Sequence, residues 1–316
     1  MLNEISEELF DKLKSSCEKC VADTISLSGG LDSSIVAYYL QKRRPKAVSV
    51  IAKDFEASDL TYCQMASQEF DLPLTIYKVE TEKILEAIEE TIKILKNFND
   101  IEIRNNIVMY LALKWAKENQ SNGVITGDGA DELFAGYNFL LKKPKGELED
   151  EIKRVFSIMH FPAQKIGNAL GVPVESPFLD KDFVKFALSI PVDLKVNTMN
   201  GKKYGKWILR KTFEGKIPQK ILWREKSPMQ EGAGTRNLEG LFEKMISNEL
   251  FEKNRKRIYK NHGIKIRTKE SMHYFDIFQK YFRVHQTTKD EEQACPYCHF
   301  NSKNSKFCRM CGAFPI

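Results

Sequence analysis

Residues 28–34 read Ser-Gly-Gly-Leu-Asp-Ser-Ser and follow directly on the apolar run Thr24-Ile25-Ser26-Leu27. Far along the chain the same device returns, where Val124-Ile125-Thr126 runs into Gly127-Asp128-Gly129-Ala130-Asp131-Glu132-Leu133-Phe134. A short β-rich run that ends in a Gly-rich turn predicts a strand handing over to a helix. The stretch between them keeps up that alternation. Residues 47–52 and 74–79 are strand-like, 33–42, 58–70, 82–97 and 103–119 are helix-like, and Ile5, Leu9 and Leu13 give residues 4–20 one apolar face. Strands alternating with helices imply βαβ units, hence an α/β fold with a parallel sheet. Ligands of such sheets bind at the carboxyl ends of the strands, and both Gly-rich turns fall there.

The residue types in the turns point to phosphate. Backbone N–H groups at a helix N-terminus carry partial positive charge. Gly29 and Gly30 lack a Cβ and let oxygens come close, Ser28, Ser33 and Ser34 offer hydroxyls, and Asp32 can hold Mg2+. The second turn adds the carboxylates Asp128 and Asp131. No G-x-x-x-x-G-K-[ST] occurs, so this is not a Walker loop. A plain tight turn would need only a Gly-Gly; the whole heptapeptide after a strand favours a nucleotide triphosphate and its Mg2+.

Beyond residue 137 the pattern changes to helical stretches broken by Pro162, Pro173, Pro177, Pro191 and Pro218. The expected organisation is an α/β domain over 1–141, a helical part over 142–285, a polar linker over 286–294 and a small cysteine-rich module over 295–316. A 42% hydrophobic, 29% charged composition is that of an ordinary globular protein, and no apolar run approaches the ~18 residues a membrane span needs. The N-terminus has no export signal, so a cytoplasmic protein without membrane partners is expected. The net charge of +6 is mild, but Lys253, Arg255, Lys256, Arg257, Lys260, Lys265, Arg267 and Lys269 crowd one stretch, with Tyr259 and Tyr274 close by. A solvated helix face is the ordinary reading of such a run, and a nucleic-acid groove the sharper one.

Cys295, Cys298, Cys308 and Cys311 form a C-x2-C-x9-C-x2-C array. Four thiolates at that spacing suit a tetrahedral Zn2+, because the segment is too short for a core of its own. Iron is the minor alternative. Lys303, Lys306 and Arg309 make this zinc ribbon basic, which suits contact with RNA or protein. Cys17, Cys20 and Cys63 read as apolar packing, or more sharply as a redox pair or three ligands of an iron–sulfur cluster.

The heptapeptide Ser28–Ser34 resembles the PP-loop of the N-type ATP pyrophosphatases, an adenine nucleotide alpha hydrolase-like fold. Gly127–Tyr137 is similar to the second motif of the asparagine synthetase B synthetase domain. Pro177-Phe178-Leu179-Asp180, Lys206-Trp207-Ile208-Leu209-Arg210 and Trp223-Arg224-Glu225-Lys226 follow in that family's order. The resemblance covers roughly residues 10–245. It implies an AMP-forming ligase in which an acceptor carboxylate attacks the α-phosphorus of ATP and an amine then displaces AMP. It further implies that Ser28, Gly30, Asp32 and Ser33 hold pyrophosphate and Mg2+ with help from Asp131. Lys206 and Lys226 would meet phosphate oxygens, Leu27, Ile51 and Gly127 would flank adenine, and Arg104 would serve the acceptor. A lone lysine is ordinarily a solvated surface charge; only the motif context reverses that.

The family's glutaminase domain, with its N-terminal cysteine, is expected to be absent, since the chain reads Met1-Leu2 and reaches its PP-loop by residue 28. Nitrogen would then come from ammonia, a separate amidotransferase subunit or an amine on the substrate. The acceptor side departs from the family pattern. A Thr-Thr-x-Arg stretch becomes Ile101-Glu102-Ile103-Arg104, Glu175 stands where the family has Arg, and the glutamate of the second Gly-rich motif is shortened to Asp128. An anion at a carboxylate-binding position would repel aspartate, so an acceptor with an amine or basic ring facing Glu102 or Glu175 is expected unless those glutamates form structural contacts. The competing functional reading is a PP-loop tRNA-modifying enzyme that adenylates a base; the third, an ATP-binding regulator, sits poorly with Asp32, Asp131, Lys206 and Lys226 all present.

Overall fold

The first helix, α1 (Leu2–Glu18), turns Leu9, Leu13 and Cys17 inward, the face its apolar spacing marks out. The computed structural model describes residues 2–53, 59–225, 229–284, 294–302 and 305–316. After α1 come β1 (Thr24–Ser26), α2 (Leu31–Leu40), β2 (Lys46–Ala52), α3 (Asp59–Glu69), β3 (Leu74–Val79), α4 (Thr81–Leu95), α5 (Asp100–Glu118), β4 (Val124–Ile125), α6 (Ala130–Leu133) and, further on, β5 (Val174–Glu175). The strands form one five-stranded sheet in the order β3-β2-β1-β4-β5. Parallel registers pair Ile25 with Ala47 and Ile125, and Ile125 with Glu175. The α/β reading with a parallel sheet therefore holds. Strand β5 and the small hairpin Asn197–Met199/Lys202–Tyr204 were not foreseen, being too short to leave a periodic signal. Among the described residues no helix is long and apolar enough to cross a membrane.

The chain divides into two compact units built from interleaved segments: Met1–Ile51, Ser58–Tyr77 and Ala112–Pro228 in the first, Ala52–Ala57, Lys78–Leu111 and Met229–Ile316 in the second. The first holds a core of Leu9, Leu13, Ile25, Ile35, Ile125, Leu133, Phe134, Phe178, Phe183, Ile208 and Phe213. Cys17, Cys20 and Cys63 belong to this core. Burial pushes all three thiols up, Cys20 to about 11, and Cys63 Sγ donates to the Leu60 carbonyl at 3.1 Å. They pack as small apolar side chains, and among the described residues they join no metal-competent cluster.

Gly29 shows how the turn after β1 is fixed. Its φ is +68°, and a Cβ built there would lie 2.2 Å from the Tyr62 carbonyl carbon and 2.3 Å from the Cys63 nitrogen. The backbone of α3 thus passes directly behind the turn, and only glycine admits it. Gly30, with φ −75°, faces nothing closer than Ser28 Oγ at 3.3 Å. Of the two glycines assigned to oxygen approach, Gly29 is accounted for by helix packing and Gly30 leaves the open side.

In the second unit the helices Leu238–Met245 and Asn248–His262 pack on Lys269–Tyr281 through Phe242 and His262, and Phe98 lies 5.2 Å from the Phe275 ring and 5.5 Å from that of Phe278. Asn99 caps α5 by accepting from the Glu102 amide at 3.2 Å. Inside this unit Glu270, 2% exposed, accepts from Tyr274 Oη at 2.7 Å and pairs with Arg104 at 3.2 Å. Burial outweighs the Arg104 charge and pushes the Glu270 carboxyl up to about 7.

Gly29→Ala should cost about 3 kcal/mol or more, from overlap with α3 and a left-handed backbone. Gly171→Ala, at φ +73° with nothing within 4 Å, should cost only about 1 kcal/mol. Equal losses in urea unfolding would show that α3 does not press on the turn. For Glu270 the folded value lies above the unfolded one, so its contribution is full below about pH 4.5 and fades as pH rises through about 7. Between those limits the wild type should lose on the order of 2 kcal/mol more than Glu270→Gln. Parallel pH profiles of unfolding free energy would contradict this assignment.

Candidate active site

Strands β1 and β4 lie side by side, and the Ile25–Ile125 register brings the turn after each to the same edge of the sheet. The turns touch. A Cβ on Gly127 would stand 2.8 Å from Asp32 Cβ and 3.1 Å from the Ser33 nitrogen. In the first turn Ser28 Oγ accepts from the Gly30 amide at 3.2 Å and lies 3.2 Å from Ser33 Oγ, whose hydroxyl reaches the Gly30 carbonyl at 3.2 Å. Ser28, Gly30, Asp32, Gly127 and Asp128 are partly exposed, whereas Ser33, Ser34, Leu27 and Ile51 are buried. The Ser34 hydroxyl has no partner among the described residues. Asp128 accepts from Thr126 Oγ1 at 3.1 Å.

Where the two turns meet, a third segment enters. Lys206 is 4% exposed, and its Nζ lies 2.7 and 2.6 Å from the two Asp32 oxygens and 2.7 Å from Asp131. Its backbone has φ +55°, and its amide donates to the Phe134 carbonyl at 2.7 Å, which ties the start of the helix Trp207–Thr212 to the end of α6. Gly136 makes the arrangement possible, since a Cβ there would fall 1.9 Å from Asp131 Oδ1 and 2.4 Å from Lys206 Cε. The structure therefore gathers Asp32, Asp131 and Lys206 from three separate motifs. One ammonium against two carboxylates leaves an unbalanced negative charge. That donor set, beside a hydroxyl-lined turn, fits a divalent cation carried by a polyphosphate.

Two supporting groups were not picked out from the sequence, although both lie within the quoted motifs. Glu132, 5% exposed, accepts from Tyr137 Oη at 2.5 Å; burial, then the Asp131 charge, push its carboxyl up to about 6. Arg210, 6% exposed, donates to the carbonyls of Gly205 (3.0 Å), Leu222 and Arg224 (3.3 Å). It thereby anchors the segment that leads to Lys226, which itself lies outside the described residues. The i, i+5 and i, i+4 spacings to residues already selected were the available signals.

Arg104 belongs to the second unit, where Glu270 and Glu239 (3.4 Å) flank its guanidinium and its buried Nε has no partner among the described residues. The expectation of a basic acceptor facing Glu175 is corrected. That carboxylate accepts from the Val21 amide at 3.0 Å and the Ala22 amide at 2.9 Å, before β1 begins and at the opposite end of the strand from the Gly-rich turns. Glu102 lies near enough to Arg309 for its charge to offset part of that guanidinium's burial. The Glu175 substitution thus has a structural explanation.

The tail builds a second site. All four sulfurs of Cys295, Cys298, Cys308 and Cys311 lie within 4.8 Å of one another, with Cys295–Cys311 at 3.8 Å and Cys298–Cys308 at 3.5 Å. Tetrahedral Zn–S bonds of about 2.3 Å require sulfurs about 3.8 Å apart, so the donor set fits zinc. The two knuckles are the same turn twice: His299 and Gly312 donate to the carbonyls of Cys295 and Cys308, and both take positive φ.

Comparison with known proteins follows the same residues. The Asparagine synthase family profile matches residues 4–160 and 142–295. Asparagine synthetase B [glutamine-hydrolyzing] of Escherichia coli K12 is 30% identical over 307 residues, 89% of this chain and 54% of that protein. The glutamine-hydrolyzing asparagine synthetase of Gallus gallus is 29% identical, over 81% of this chain and 48% of its own. The chain spans about half the length of the curated relatives it matches. A solved NMN synthetase from Francisella tularensis is similar over 92% of this chain, at 16% identity and a TM-score of 0.40. With the family profile running through both Gly-rich turns and the Lys206 segment, the chain belongs to the asparagine synthase family.

Proposed function

We propose that the protein is an ATP-dependent, AMP-forming amide ligase that adenylates a carboxylate, releases pyrophosphate and passes the acyl group to ammonia or a partner-supplied amine. The observation that carries this reading is the burial of Lys206 between Asp32 and Asp131, where two Gly-rich turns meet. Adenylation concentrates negative charge on the departing pyrophosphate, and preorganised cations in a partly dry site lower that barrier. Bound Mg2+ would supply a dication to those oxygens; Asp32 and Asp131 are the residues that would hold it. Lys206 supplies a fixed positive charge, Ser28, Ser33 and the amide of Gly30 supply donors, and Leu27, Ile51 and Gly127 form the apolar edge for adenine. Ser34, Gly29 and Asp128 complete the turns, and Lys226 joins Lys206 on the phosphates.

Glu132 and Tyr137 act as a clamp that keeps Asp131 facing Lys206. In this reading Arg104 keeps the acceptor role that the family resemblance implies. With Glu175 engaged by backbone amides, aspartate returns as the first candidate acceptor. The zinc-fitting tail over 295–316 is assigned a structural role.

ATP–pyrophosphate exchange across a panel of acids tests the reaction class; no exchange with any carboxylate, aspartate included, would remove it. Lys206→Met should lower exchange by about a hundredfold or more, in the range of losing one preorganised donor, with Lys206→Arg recovering part. Gly30→Ala should leave unfolding within about 1 kcal/mol of wild type while exchange drops, because its Cβ would press on Ser28 Oγ alone, at 3.3 Å. Wild-type exchange in a folded Lys206→Met variant would place the chemistry elsewhere. For the tail, metal analysis should return one zinc per chain, and Cys308→Ser should lose it; a chain that purifies metal-free with all four thiols reduced would contradict the assignment.

A further inference from the structure

Eight Lys or Arg and no Asp or Glu occupy residues 253–269, which exceeds the formal net charge of +6 of the whole chain. The rest of the chain is therefore net acidic, and the positive charge is a local feature of the second unit. Helix Asn248–His262 sets it out in space. Ile258 is buried, and Lys253, Lys256 and Lys260 are exposed on the side opposite it. At the α-helical rise they extend along about 10 Å of the helix. Arg255 is bonded to Glu252 at 2.8 Å and Arg257 lies 3.8 Å from Asp276, but the three lysines have no acidic partner among the described residues.

The zinc-fitting tail adjoins the end of this helix. His299 Nε2 lies 3.1 Å from the Gly263 carbonyl, and the Lys265 amide donates to the Tyr297 carbonyl at 2.7 Å. Lys265 and Lys306 are exposed as well, on and beside the tail that meets the helix end, and so are several aromatic rings. Tyr259 is 55% exposed on the flank of the helix, Phe300 42% and Phe314 69% on the tail. In sequence Tyr259 sits between Arg257 and Lys260 rather than in an apolar stripe, which suits planar bases better than insertion into a bilayer.

We propose that this face binds a single-stranded polynucleotide, with phosphates on Lys253, Lys256, Lys260 and Lys265 and bases stacked on Tyr259 and Phe300. The inference is independent of the ligase reading, because binding is measured without ATP or acceptor. Fluorescence anisotropy of the full zinc-loaded chain with a labelled RNA of roughly 16 nucleotides, its DNA counterpart, heparin and phosphatidylserine vesicles provides the test. Three or four phosphate contacts on a single strand predict a log–log salt slope of about −2 to −3 between about 50 and 200 mM salt.

The triple variant Lys253→Glu/Lys256→Glu/Lys260→Glu should weaken binding at least about tenfold and flatten that slope. Phe300→Ala and Tyr259→Ala should each weaken it severalfold and leave the slope intact. Zinc content and thermal melting of these surface variants should match the wild type. Tighter binding of RNA than DNA, or the reverse, identifies which polynucleotide the face serves. No binding at about 50 mM salt, or binding unmoved by charge reversal, would overturn the proposal. So would equal capture of heparin or vesicles with no effect of the aromatic substitutions, since that is the behaviour of a generic polyanion or membrane surface.

Discussion

The ammonium of Lys206, enclosed by Asp32 and Asp131, is the interaction on which the first unit is organised. Removing three charges from water is costly, and the geometry must be good on every side to recover it. Here the recovery draws on distant parts of the chain, since Lys206 and Asp32 are 174 residues apart. Strand β1 delivers one carboxylate, β4 and α6 the other, and a left-handed residue at the start of Trp207–Thr212 the cation. A lysine at φ +55° carries strain of order 1–2 kcal/mol that a glycine would relieve. Glycine would also delete the ammonium and leave two buried carboxylates facing each other, a larger cost. Strain is thus tolerated where electrostatics demands a side chain, and the neighbouring Gly136 is small because that side chain needs the space.

What the sequence disclosed follows from how local each signal is. Strands β1 to β4 were legible as short apolar runs that end in turn residues, and helices α1 to α5 as the longer stretches between them. The Gly-rich turns were legible because glycine and hydroxyl residues cluster within seven positions. The meeting of Asp32 with Lys206 could only be suspected through motif order, since no local pattern encodes a contact across half the chain. Glu175 and Gly29 mark the opposite failure. Each sits in a motif and invites a ligand-centred explanation, yet Glu175 holds the amides of Val21 and Ala22, and Gly29 gives way to the backbone of α3. Residue type was informative there, but its purpose depended on a neighbour the sequence does not name.

The second unit solves a different problem. Residues 295–316 are too few to bury a core of their own, and a cluster of four sulfurs that fits one ion stands in its place. Once closed, the knuckles present backbone rather than side chains. The Met310 and Arg309 carbonyls accept from Phe98 and Asn99, just before α5, and Arg267 donates to the Cys311 carbonyl at 2.8 Å. Gly312 takes φ +75° so that Asn99, Asp100 and Arg267 can crowd against it, each within 3.0 Å of where a Cβ would stand. The cap of α5 and the knuckle therefore complete one another's hydrogen bonds. Arg104 is one turn further along that helix, with Glu270 behind it. The metal-fitting tail thus bears on the buried ion pair through a short covalent and hydrogen-bonded path, which gives a structural reason for a ribbon to be joined to this helix.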